Sequence, residues 1–586
     1  MHLPSMKRSL FQSPGYTEIL SALLFILLPL GFGGKEGMWA AMASFAFLIV
    51  LFLLRNEISI NFFGLPFTIF ILFSALWSES PHITIKWFFY FLMTLFISSL
   101  SKNQFPKVIK PAIFIVSISI VIHYIKGGSP YLTTSGRAGG TFFHPNAGAG
   151  FLLPAGVFSV YPRFDIPLFI VSLTGILLTG SRIVFSLFLF SSIVTLFFRF
   201  RKRMKIWYVF LFLIFTGLLF VALRSSPVWK RFSIQTFYSS FNVRMSLWKD
   251  TISAISENPM IGYGYGSFES IFPYFQKSGV YSRFPHSFIL EILFSSGLLG
   301  FFLFAFYFYK SFEPSEKWRF SFIPLFLHSL FDFSLSAPAN MGIFLTMISG
   351  KGFKKIRFEK PILYFLFLFL FLFGLSDFFF SLSKTRKSLE ASIRWGEMAY
   401  AVFPISADRA TMLSNLYLER FRKTGDRETI EKARRFAERA INIEGRNYSH
   451  YLNMGTIHLY LNDRKSALSS FKKSMSLYPQ YPKLYLYAGE LAFRDGMDSE
   501  ALRIVEKGIF LEKILLSAEN NEIIDIIELY RLKILVLKKY GMLNEVDKTK
   551  KDALSLGEII RSKGLIERRT SRGRSVREAL EEIRNM

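Results

Sequence analysis

The chain has 586 residues, of which 51% are hydrophobic and 18% aromatic, including 70 phenylalanines. This apolar content exceeds what one soluble core needs, so we predict an integral membrane protein. The formal net charge of +28 does not indicate nucleic-acid binding, because basic loops beside membrane spans account for part of it. The chain has no cysteine, which is compatible with an oxidising and with a reducing compartment.

Apolar runs recur along residues 1–382. A bilayer core about 30 Å thick is crossed by roughly 20 apolar helical residues. With that window we predict an all-α polytopic bundle of about thirteen spans, at 17–33, 37–54, 59–78, 83–100, 108–125, 146–161, 165–180, 182–200, 206–223, 286–309, 319–335, 338–350 and 361–382. The first run lacks a small-residue cleavage site and is followed at once by others, so we predict a retained helix and not a signal peptide.

Positive charge in the short loops predicts the orientation of these spans. Basic residues cluster at 7–8, 199–205 and 351–360, which fall on one side if thirteen spans alternate. The amino terminus is then cytoplasmic, and loops 126–145 and 224–285, together with everything after 383, lie on the opposite face.

The predicted external loop 224–285 is itself basic, although it lies on the side that the rule leaves poor in positive charge. It contains seven basic residues, namely Arg224, Lys230, Arg231, Arg244, Lys249, Lys277 and Arg283, against three acidic ones. The positive charge indicates an anionic ligand. A solvated loop near anionic lipid headgroups explains it equally well.

After residue 383 the composition becomes charged, and a repeat with a period of 34 residues appears. Segments 447–479 and 481–513 align Leu452 with Leu486, Gly455 with Gly489 and Ala467 with Ala501, and Ala433 marks an earlier, less regular copy. This is tetratricopeptide spacing, so we predict a soluble α-solenoid over 383–540 whose concave face binds a partner. Residues 541–586 are predicted to be a charged helical or disordered tail, with the basic stretch 561–577 solvated.

Polar residues with chemical potential occur in three segments of the first 382 residues. Arg137 lies in "SGRAGGTFFHPNAGAG" (135–150), and Arg182 follows a glycine in "LLTGSRIVF" (177–185). The third segment begins with "NVRMSLWKDTISAISENPMIGYGYGSFES" (242–270), in which Arg244 and Trp248 share one helical face at i, i+4.

The third segment continues to a histidine in front of an apolar run. Pro259 is expected to end the preceding helix, and the glycines that follow are expected to form a tight turn, namely Gly262, Gly264 and Gly266. "PHSFILEILFSSGLLGFF" (285–302) then places His286 at the start of a predicted span.

At these residues the sequence resembles the O-antigen ligase and polymerase family of bacterial membrane glycosyltransferases. The resemblance rests on Arg, Trp, then Asn-Pro-x-x-Gly-x-Gly, then a His opening a helix that runs to Gly-Leu-Leu-Gly, and it extends over roughly 130–340. It implies transfer of a glycan from undecaprenyl diphosphate to an acceptor hydroxyl, outside the cytoplasmic membrane, without metal, nucleotide sugar or other cofactor. The implied acceptor is lipid A core or a growing glycan.

The chemistry of the residues is compatible with that reaction. An arginine stays ionised and its fork of donors suits phosphate oxygens, so Arg182, Arg244 and Arg137 are candidate diphosphate-binding residues. A histidine accepts a proton near neutral pH, so His286 is the candidate general base. Snorkelling to headgroups is the alternative for Arg182, and a surface or capping role is the alternative for His286.

Two further histidines and an aspartate have simpler explanations. We expect His144 to cap the helix that follows it. His328 and Asp332 stand at i, i+4 within a predicted span, so they would share one face. We favour a structural hydrogen-bonded pair over a catalytic one. The candidate supporting residues of the site are His328, Asp332, Trp248, Gly262 and Gly264.

Other functions remain open at this point. Within the family, the motif does not separate ligase, polymerase and protein O-oligosaccharyltransferase. A transporter or flippase for an anion or a lipid-linked glycan would also use intramembrane arginines, although no internal duplication is detected. A scaffold that recruits envelope proteins through the repeats is the third alternative.

Overall fold

A computed structural model of the chain describes residues 57–100, 105–128, 133, 136–142, 144–161, 164–200, 214, 217, 234–313, 317–357, 360–385, 388–518 and 520–586. These residues are mostly helical, as predicted from the sequence. They divide into two compact units, each assembled from three stretches of chain. The first unit comprises Met1–Arg244, Asn258–Gly266 and Phe284–Pro404, and the repeat unit comprises Met245–Glu257, Ser267–Arg283 and Ile405–Met586.

The first unit contains helices and a small antiparallel sheet. Its helices are α1 (Leu65–Ser74), α2 (Pro81–Leu100), α3 (Phe105–Lys126), α4 (Pro145–Leu152), α5 (Ala155–Phe158), α6 (Ile166–Thr179), α7 (Arg182–Phe200), α10 (Phe288–Ser311), α11 (Phe322–Leu330), α12 (Pro338–Ile348), α13 (Lys360–Thr385) and α14 (Leu389–Val402). The sheet pairs β1 (Glu57–Asn61) with β2 (Phe353–Arg357). Helix α8 (Ile234–Glu257) leads from this unit into the repeat unit, and α9 (Phe268–Phe275) lies within the latter.

The first unit has a continuous apolar core dominated by phenylalanine. Edge-to-face ring pairs run through it, for example Phe67 with Phe91 at 5.1 Å and Phe67 with Phe304 at 5.3 Å between ring centroids. Such pairs stabilise a core beyond the area that they bury. Many aliphatic and aromatic side chains on its surface are nonetheless exposed, a surface typical of proteins that contact other chains or lipid.

Thirteen spans are not confirmed. Among the described residues, two helices are long and apolar enough to cross a membrane, Lys107–Lys126 and Phe288–Ser311. Shorter apolar helices occupy Phe62–Ser74, Ile166–Thr179, Arg182–Phe198 and Pro338–Ile348. The predicted spans 17–33, 37–54 and 206–223, and the basic cluster 7–8, lie outside the described residues.

Three of the predicted spans are not continuous α-helices in the structure. The run 59–78 contains the end of β1, a 3-10 helix and the 10-residue α1. The run 146–161 forms an 8-residue and a 4-residue helix, α4 and α5. The run 319–335 contains the 9-residue α11 between two short 3-10 helices, Lys317–Ser321 and Ser334–Ser336. At about 1.5 Å per residue α11 is far shorter than a bilayer core. Hydropathy averaged over a window of about 20 residues does not reveal such breaks, because single residues such as Pro154 and Asp332 change the average little.

The repeat unit consists of helix pairs, as the 34-residue period predicted. The pairs are α15 (Ala407–Thr424) with α16 (Arg427–Ile443), α17 (Tyr448–Tyr460) with α18 (Arg464–Leu477), and α19 (Pro482–Arg494) with α20 (Asp498–Ile509). They are followed by α21 (Glu512–Ser517), α22 (Ile524–Lys539), α23 (Leu543–Ser562) and α24 (Val576–Asn585).

The aligned small residues mark the close approach of the two helices in each pair. A β-carbon at Gly455 would lie 2.4 Å from a ring atom of Phe471, and one at Gly489 would lie 2.8 Å from a methyl of Val505. Ala467 and its equivalent Ala501 are fully buried. The predicted close packing of the two helices in each repeat is confirmed.

The basic stretch 561–577 is folded and is not a disordered tail. Between α23 and α24 the chain makes a turn in which Thr570 donates to the Glu528 carboxylate at 2.8 Å. Arg574 lies 2.9 Å from the same carboxylate, and Arg572 pairs with Glu490. Acidic side chains of α19 and α22 therefore order this segment, which a local charge count does not predict.

Candidate active site

The glycine-rich part of the signature is fastened to a kink in α10. At Gly297 the backbone is not helical, with φ 61° and ψ −167°, so the carbonyl groups before it lose their helical partners. Tyr263 N donates to the Phe294 carbonyl at 2.9 Å and Gly264 N donates to that of Ser295 at 2.8 Å. The predicted tight turn thus satisfies the backbone of the kinked helix.

The glycines at this turn are required by both conformation and space. Gly262 and Gly264 have φ values of 65° and 88°, in the left-handed region. A β-carbon at Gly262 would lie 2.6 Å from the backbone of α10. In return, Leu298 N donates to the Pro259 carbonyl at 2.8 Å, so the Asn-Pro and Gly-Leu-Leu-Gly parts of the signature contact each other.

Asp332 is the centre of a buried polar network in the first unit. Its side chain is 1% exposed. Arg244 Nη2 lies 3.0 Å and Asn146 Nδ2 lies 2.7 Å from Asp332 Oδ2. His286 Nδ1 lies 3.8 Å from the same oxygen, an electrostatic contact slightly too long for a hydrogen bond.

Arg182 and Arg244 are brought together by Ser240. Arg182 Nη2 donates to Ser240 Oγ at 3.2 Å, and Arg244 Nη1 donates to the Ser240 carbonyl at 3.3 Å. Two guanidinium groups on different helices therefore face one residue. The Arg244 side chain is 18% exposed.

Arg137 is placed differently from the other two arginines. It is only 6% exposed, its Nε donates to the Thr179 carbonyl at 2.6 Å, and its Nη2 donates to Asn146. These bonds orient Asn146 toward Asp332. The geometry therefore favours a positioning role for Arg137 over direct binding of a diphosphate.

His286 combines partial exposure with a strained backbone. Its side chain is 24% exposed, in contrast to Asp332 beside it. Its φ of 51° is uncommon for a residue other than glycine, and such strain persists only where the surroundings enforce it. The ring packs edge-to-face on Phe333, with centroids 4.8 Å apart.

His328 and Asp332 do not form the predicted pair on one helical face. Helix α11 ends at Leu330, so the i, i+4 geometry is not present. His328 Nδ1 instead contacts Ser334 Oγ at 2.6 Å, and Asp332 gathers Arg244 and Asn146. The continuous helix that was predicted to carry both residues is therefore wrong.

A second buried carboxylate, Glu291, lies in the first turn of α10, five residues after His286. Glu291 is buried and accepts a hydrogen bond from Ser336, in the 3-10 helix Ser334–Ser336. Sequence reasoning missed Glu291, Asn146 and Ser240. The only local signal for them was the polarity of Asn146 and Glu291 within apolar runs.

The remaining predicted residues have the following positions. His144 caps α4, since its Nδ1 accepts from Asn146 N at 3.1 Å, and the capping prediction is confirmed. Trp248 lies one turn after Arg244 on α8 and is half-buried. Among the described residues, no group of three or more His, Asp or Glu side chains is placed to hold a metal ion.

A family comparison covers most of this site. Residues 167–305 match the family model described as O-antigen ligase. The resemblance found in the sequence is thereby confirmed, and it supports a glycan-transferring ligase or polymerase at the level of the family. The match includes Arg182, Arg244 and His286, whereas Asp332 comes from beyond it.

Comparison with solved structures concerns the repeats. The chain is similar to MamA protein (15% identity, 32% of this chain and 94% of that chain, TM-score 0.26). It is also similar to a thermophilic tetratricopeptide protein of Thermus thermophilus (20%, 28% and 88%, 0.21), and to YrrB, a tetratricopeptide protein with an unusual peptide-binding site (18%, 30% and 91%, 0.21). No curated protein matches the chain.

Proposed function

We propose that this chain, which matches the O-antigen ligase family over residues 167–305, transfers a glycan from undecaprenyl diphosphate to an acceptor hydroxyl on the periplasmic face of the bacterial inner membrane. The observation that carries the proposal is the meeting of His286 and Arg244 at one buried carboxylate, Asp332. A base and an anion-binding group lie side by side there, as a transfer from a diphosphate requires.

In the proposed step, the acceptor oxygen forms a bond to the anomeric carbon while the bond from that carbon to the diphosphate oxygen breaks. The electron pair of the broken bond remains on the diphosphate, and the acceptor proton passes to His286. Asp332 orients the ring by attracting Nδ1–H, which leaves the Nε2 lone pair to accept that proton. Attack opposite the leaving group inverts the anomeric centre.

Arg182 and Arg244 are proposed to stabilise the departing diphosphate. Both guanidinium groups reach Ser240, so the two positive charges are held near each other. Charge that develops on phosphate oxygens is stabilised most by donors that are already in place. Arg137 and Asn146 would act one step away, by holding Asp332.

The repeat unit is proposed to bind an envelope protein. The inner helices of three successive pairs, together with Arg572, line a cavity of about 860 Å³. Its charged lining consists of four basic residues, Arg422, Lys483, Arg494 and Arg572, against two acidic ones, Glu419 and Glu490, and Glu490 is paired with Arg572. An extended acidic peptide has the charge that complements this surface.

Reconstituted transfer tests the proposed function. The purified chain would be incubated with a synthetic undecaprenyl diphosphate oligosaccharide and three acceptors, with products identified by mass spectrometry. Glycan on lipid A core would indicate a ligase, longer glycan on the lipid diphosphate a polymerase, and glycan on Ser or Thr a protein oligosaccharyltransferase. Movement of donor across proteoliposomes without any transfer would contradict the proposal and favour a flippase.

A further inference from the structure

The turn between α11 and α12, residues 331–337, carries two side chains that contact the candidate base. Asp332 Oδ2 lies 3.8 Å from His286 Nδ1, and the centroid of the Phe333 ring lies 4.8 Å from that of the His286 ring. Phe284, two residues before His286, stacks on the same phenylalanine with centroids 4.9 Å apart. The position of this turn relative to the histidine therefore sets the geometry of the base.

Several contacts within the first unit hold the turn. Ser334 Oγ lies 2.6 Å from His328 Nδ1, in α11. Asn340 Nδ2, in α12, donates to the Ser334 carbonyl and to the Ala147 carbonyl, each at 2.9 Å. A β-carbon at Gly150 would lie 2.7 Å from Ser334 Oγ, so α4 packs closely against the turn. These contacts fix the turn to α4, α11 and α12, and none of them involves α10.

Glu291 supplies a connection between the turn and α10. Its N–H donates to the Ser287 carbonyl at 2.9 Å in the first turn of that helix, and its side chain accepts from Ser336 Oγ. Both partners of the side-chain bond are buried. His286 comes five residues before Glu291, and Asp332 comes four residues before Ser336. The hydrogen bond thus closes a ring of chain and side chains that includes the base and its carboxylate.

The burial of Glu291 has a cost that an apolar side chain would avoid. A carboxyl group that leaves water loses several kcal/mol of hydration, and ionisable residues within membrane segments are usually functional. An apolar residue at this position could still pack α10 against the turn. A hydrogen bond weakens steeply with distance and angle, so it restricts the position of the turn more narrowly than an apolar contact does.

We propose that the hydrogen bond between Glu291 and Ser336 positions His286 against Asp332 and Phe333 for transfer. This inference rests on the proposed function. Glu291 is a positioning residue, which acts through the histidine and touches neither donor nor acceptor. Loss of the bond allows α10 and the turn to shift relative to each other, and a displacement of about 1 Å costs on the order of 10²-fold in rate.

Replacing both partners separates positioning from folding. Glu291→Met with Ser336→Ala removes the bond and leaves neither partner buried without its hydrogen bond, so we expect little change in stability. We expect kcat to fall by about 10- to 10²-fold. The KM for the lipid diphosphate donor should change by no more than about twofold, because Arg182 and Arg244 remain held at Ser240.

Glu291→Gln is the matched conservative variant. Its amide oxygen can still accept from Ser336, so kcat should stay near that of the unaltered protein. If the doubly substituted protein did not fold, Ser336→Ala alone would carry the same expectation of a lower kcat.

A double-mutant cycle tests whether Glu291 acts through the histidine. In His286→Ala protein the ring to be positioned is absent, so adding Glu291→Met and Ser336→Ala should lower the residual transfer no further. A merely structural defect would lower transfer by the same factor with and without the histidine. Single-turnover assays of the purified proteins measure the cycle, and melting temperatures establish that each is folded.

The outcomes distinguish this inference from the proposed function. An unaltered protein that transfers no glycan would refute the proposed function, and the inference would fall with it. Full kcat in the active protein after Glu291→Met and Ser336→Ala would overturn the inference alone. Equal losses with and without His286 would also overturn it, and so would a loss in Glu291→Gln as large as that in the double variant.

Discussion

Two buried carboxylates, Asp332 in the first unit and Glu528 in the repeat unit, are each surrounded by cationic side chains. Glu528 is fully buried, and its partners are all close: Thr570 at 2.8 Å, Arg574 at 2.9 Å and Arg531 at 3.1 Å. Removing a carboxylate from water is costly, and such a set of bonds offsets the cost. This cluster is complete, so its role is to fasten the carboxyl-terminal turn.

The cluster at Asp332 differs because one of its partners is not hydrogen-bonded. Asn146 and Arg244 are within hydrogen-bond distance, but His286 is 3.8 Å away and its ring is partly exposed. A titratable ring held at a buried charge, and open to solvent or substrate, is what acid–base chemistry requires. The comparison teaches that burial of charge does not by itself distinguish a functional site from a structural one. What differs at Asp332 is a partner that lies beyond hydrogen-bond distance and can exchange a proton, whereas the partners of Glu528 are bonded arginines and a threonine.

The largest effect is expected for His286→Ala, which removes the accessible partner. Transfer should fall by about 10²–10⁴-fold, because the acceptor proton loses its base. The assay is single-turnover transfer by purified protein, with melting temperature as the check on folding. His458→Ala is the matched control, since His458 lies 3.7 Å from Asp463 in the repeat unit and should not affect transfer. An active His286→Ala protein would exclude the general-base role.

The next effect is on stability, and it concerns the complete cluster. Glu528→Gln removes the buried carboxylate from Arg531 and Arg574, which keep Glu582 as a partner, so we expect a loss of about 1–3 kcal/mol in the free energy of unfolding of the repeat unit. Glu506→Gln, which removes an exposed partner of Lys533, should cost at most about 0.5 kcal/mol. Denaturant unfolding of the full chain followed by hydrogen exchange of 524–585 measures both. Equal losses would show that the Glu528 cluster does not stabilise the carboxyl-terminal turn.

A smaller effect is expected for Arg244→Lys, which keeps the charge at Asp332 but loses the fork of donors. Transfer should fall by about tenfold, with the loss appearing in the KM for donor as well as in kcat. Arg503→Lys, in an exposed pair with Glu500, is the control and should be neutral. If Arg244→Lys transferred normally, a simple positive charge would suffice at this position.

The smallest effect concerns pH and a carboxyl one turn before Glu528. Burial raises the pKa of Asp525 above its ordinary value of 3.8, with a further contribution from the charge of Glu528. Because the folded state holds this proton more tightly, the contribution of Asp525 to stability is full below pH 3.8 and is lost as pH rises through the raised pKa. Asp525→Asn should therefore flatten the pH dependence of exchange in 524–539. An unchanged slope would contradict this assignment.

Local patterns in the sequence predicted the elements whose causes are local. The 34-residue period gave the helix pairs, and the spacing of Gly262 and Gly264 gave the turn. His144 before a proline gave a helix cap. In each case the reason is contained within a few residues or one repeat, such as a missing β-carbon or a side chain that accepts from the next turn.

The residues of the site that sequence reasoning missed come from distant parts of the chain. Asn146 and Ser240 are small polar residues without a motif, and they acquire a role only because folding places them beside Asp332 and Arg182. Helix α11 ends at Leu330, so Asp332 lies outside it. Residues 331–333 contain no glycine or proline that would predict this end. Tertiary contacts decide such breaks, so neither hydropathy nor helical periodicity finds them.

The small sheet has a consequence for the order in which the protein is made. Strand β1 pairs with β2, and Asn61 donates to the Lys351 carbonyl, 290 residues later in the chain. The ribosome must therefore complete more than half of the polypeptide before β1 finds its partner. During all of that synthesis the edge of β1 has unpaired backbone groups, which are prone to mispairing. A nascent chain arrested before residue 353 should accordingly be captured by chaperones, and one arrested well after 357 should be released.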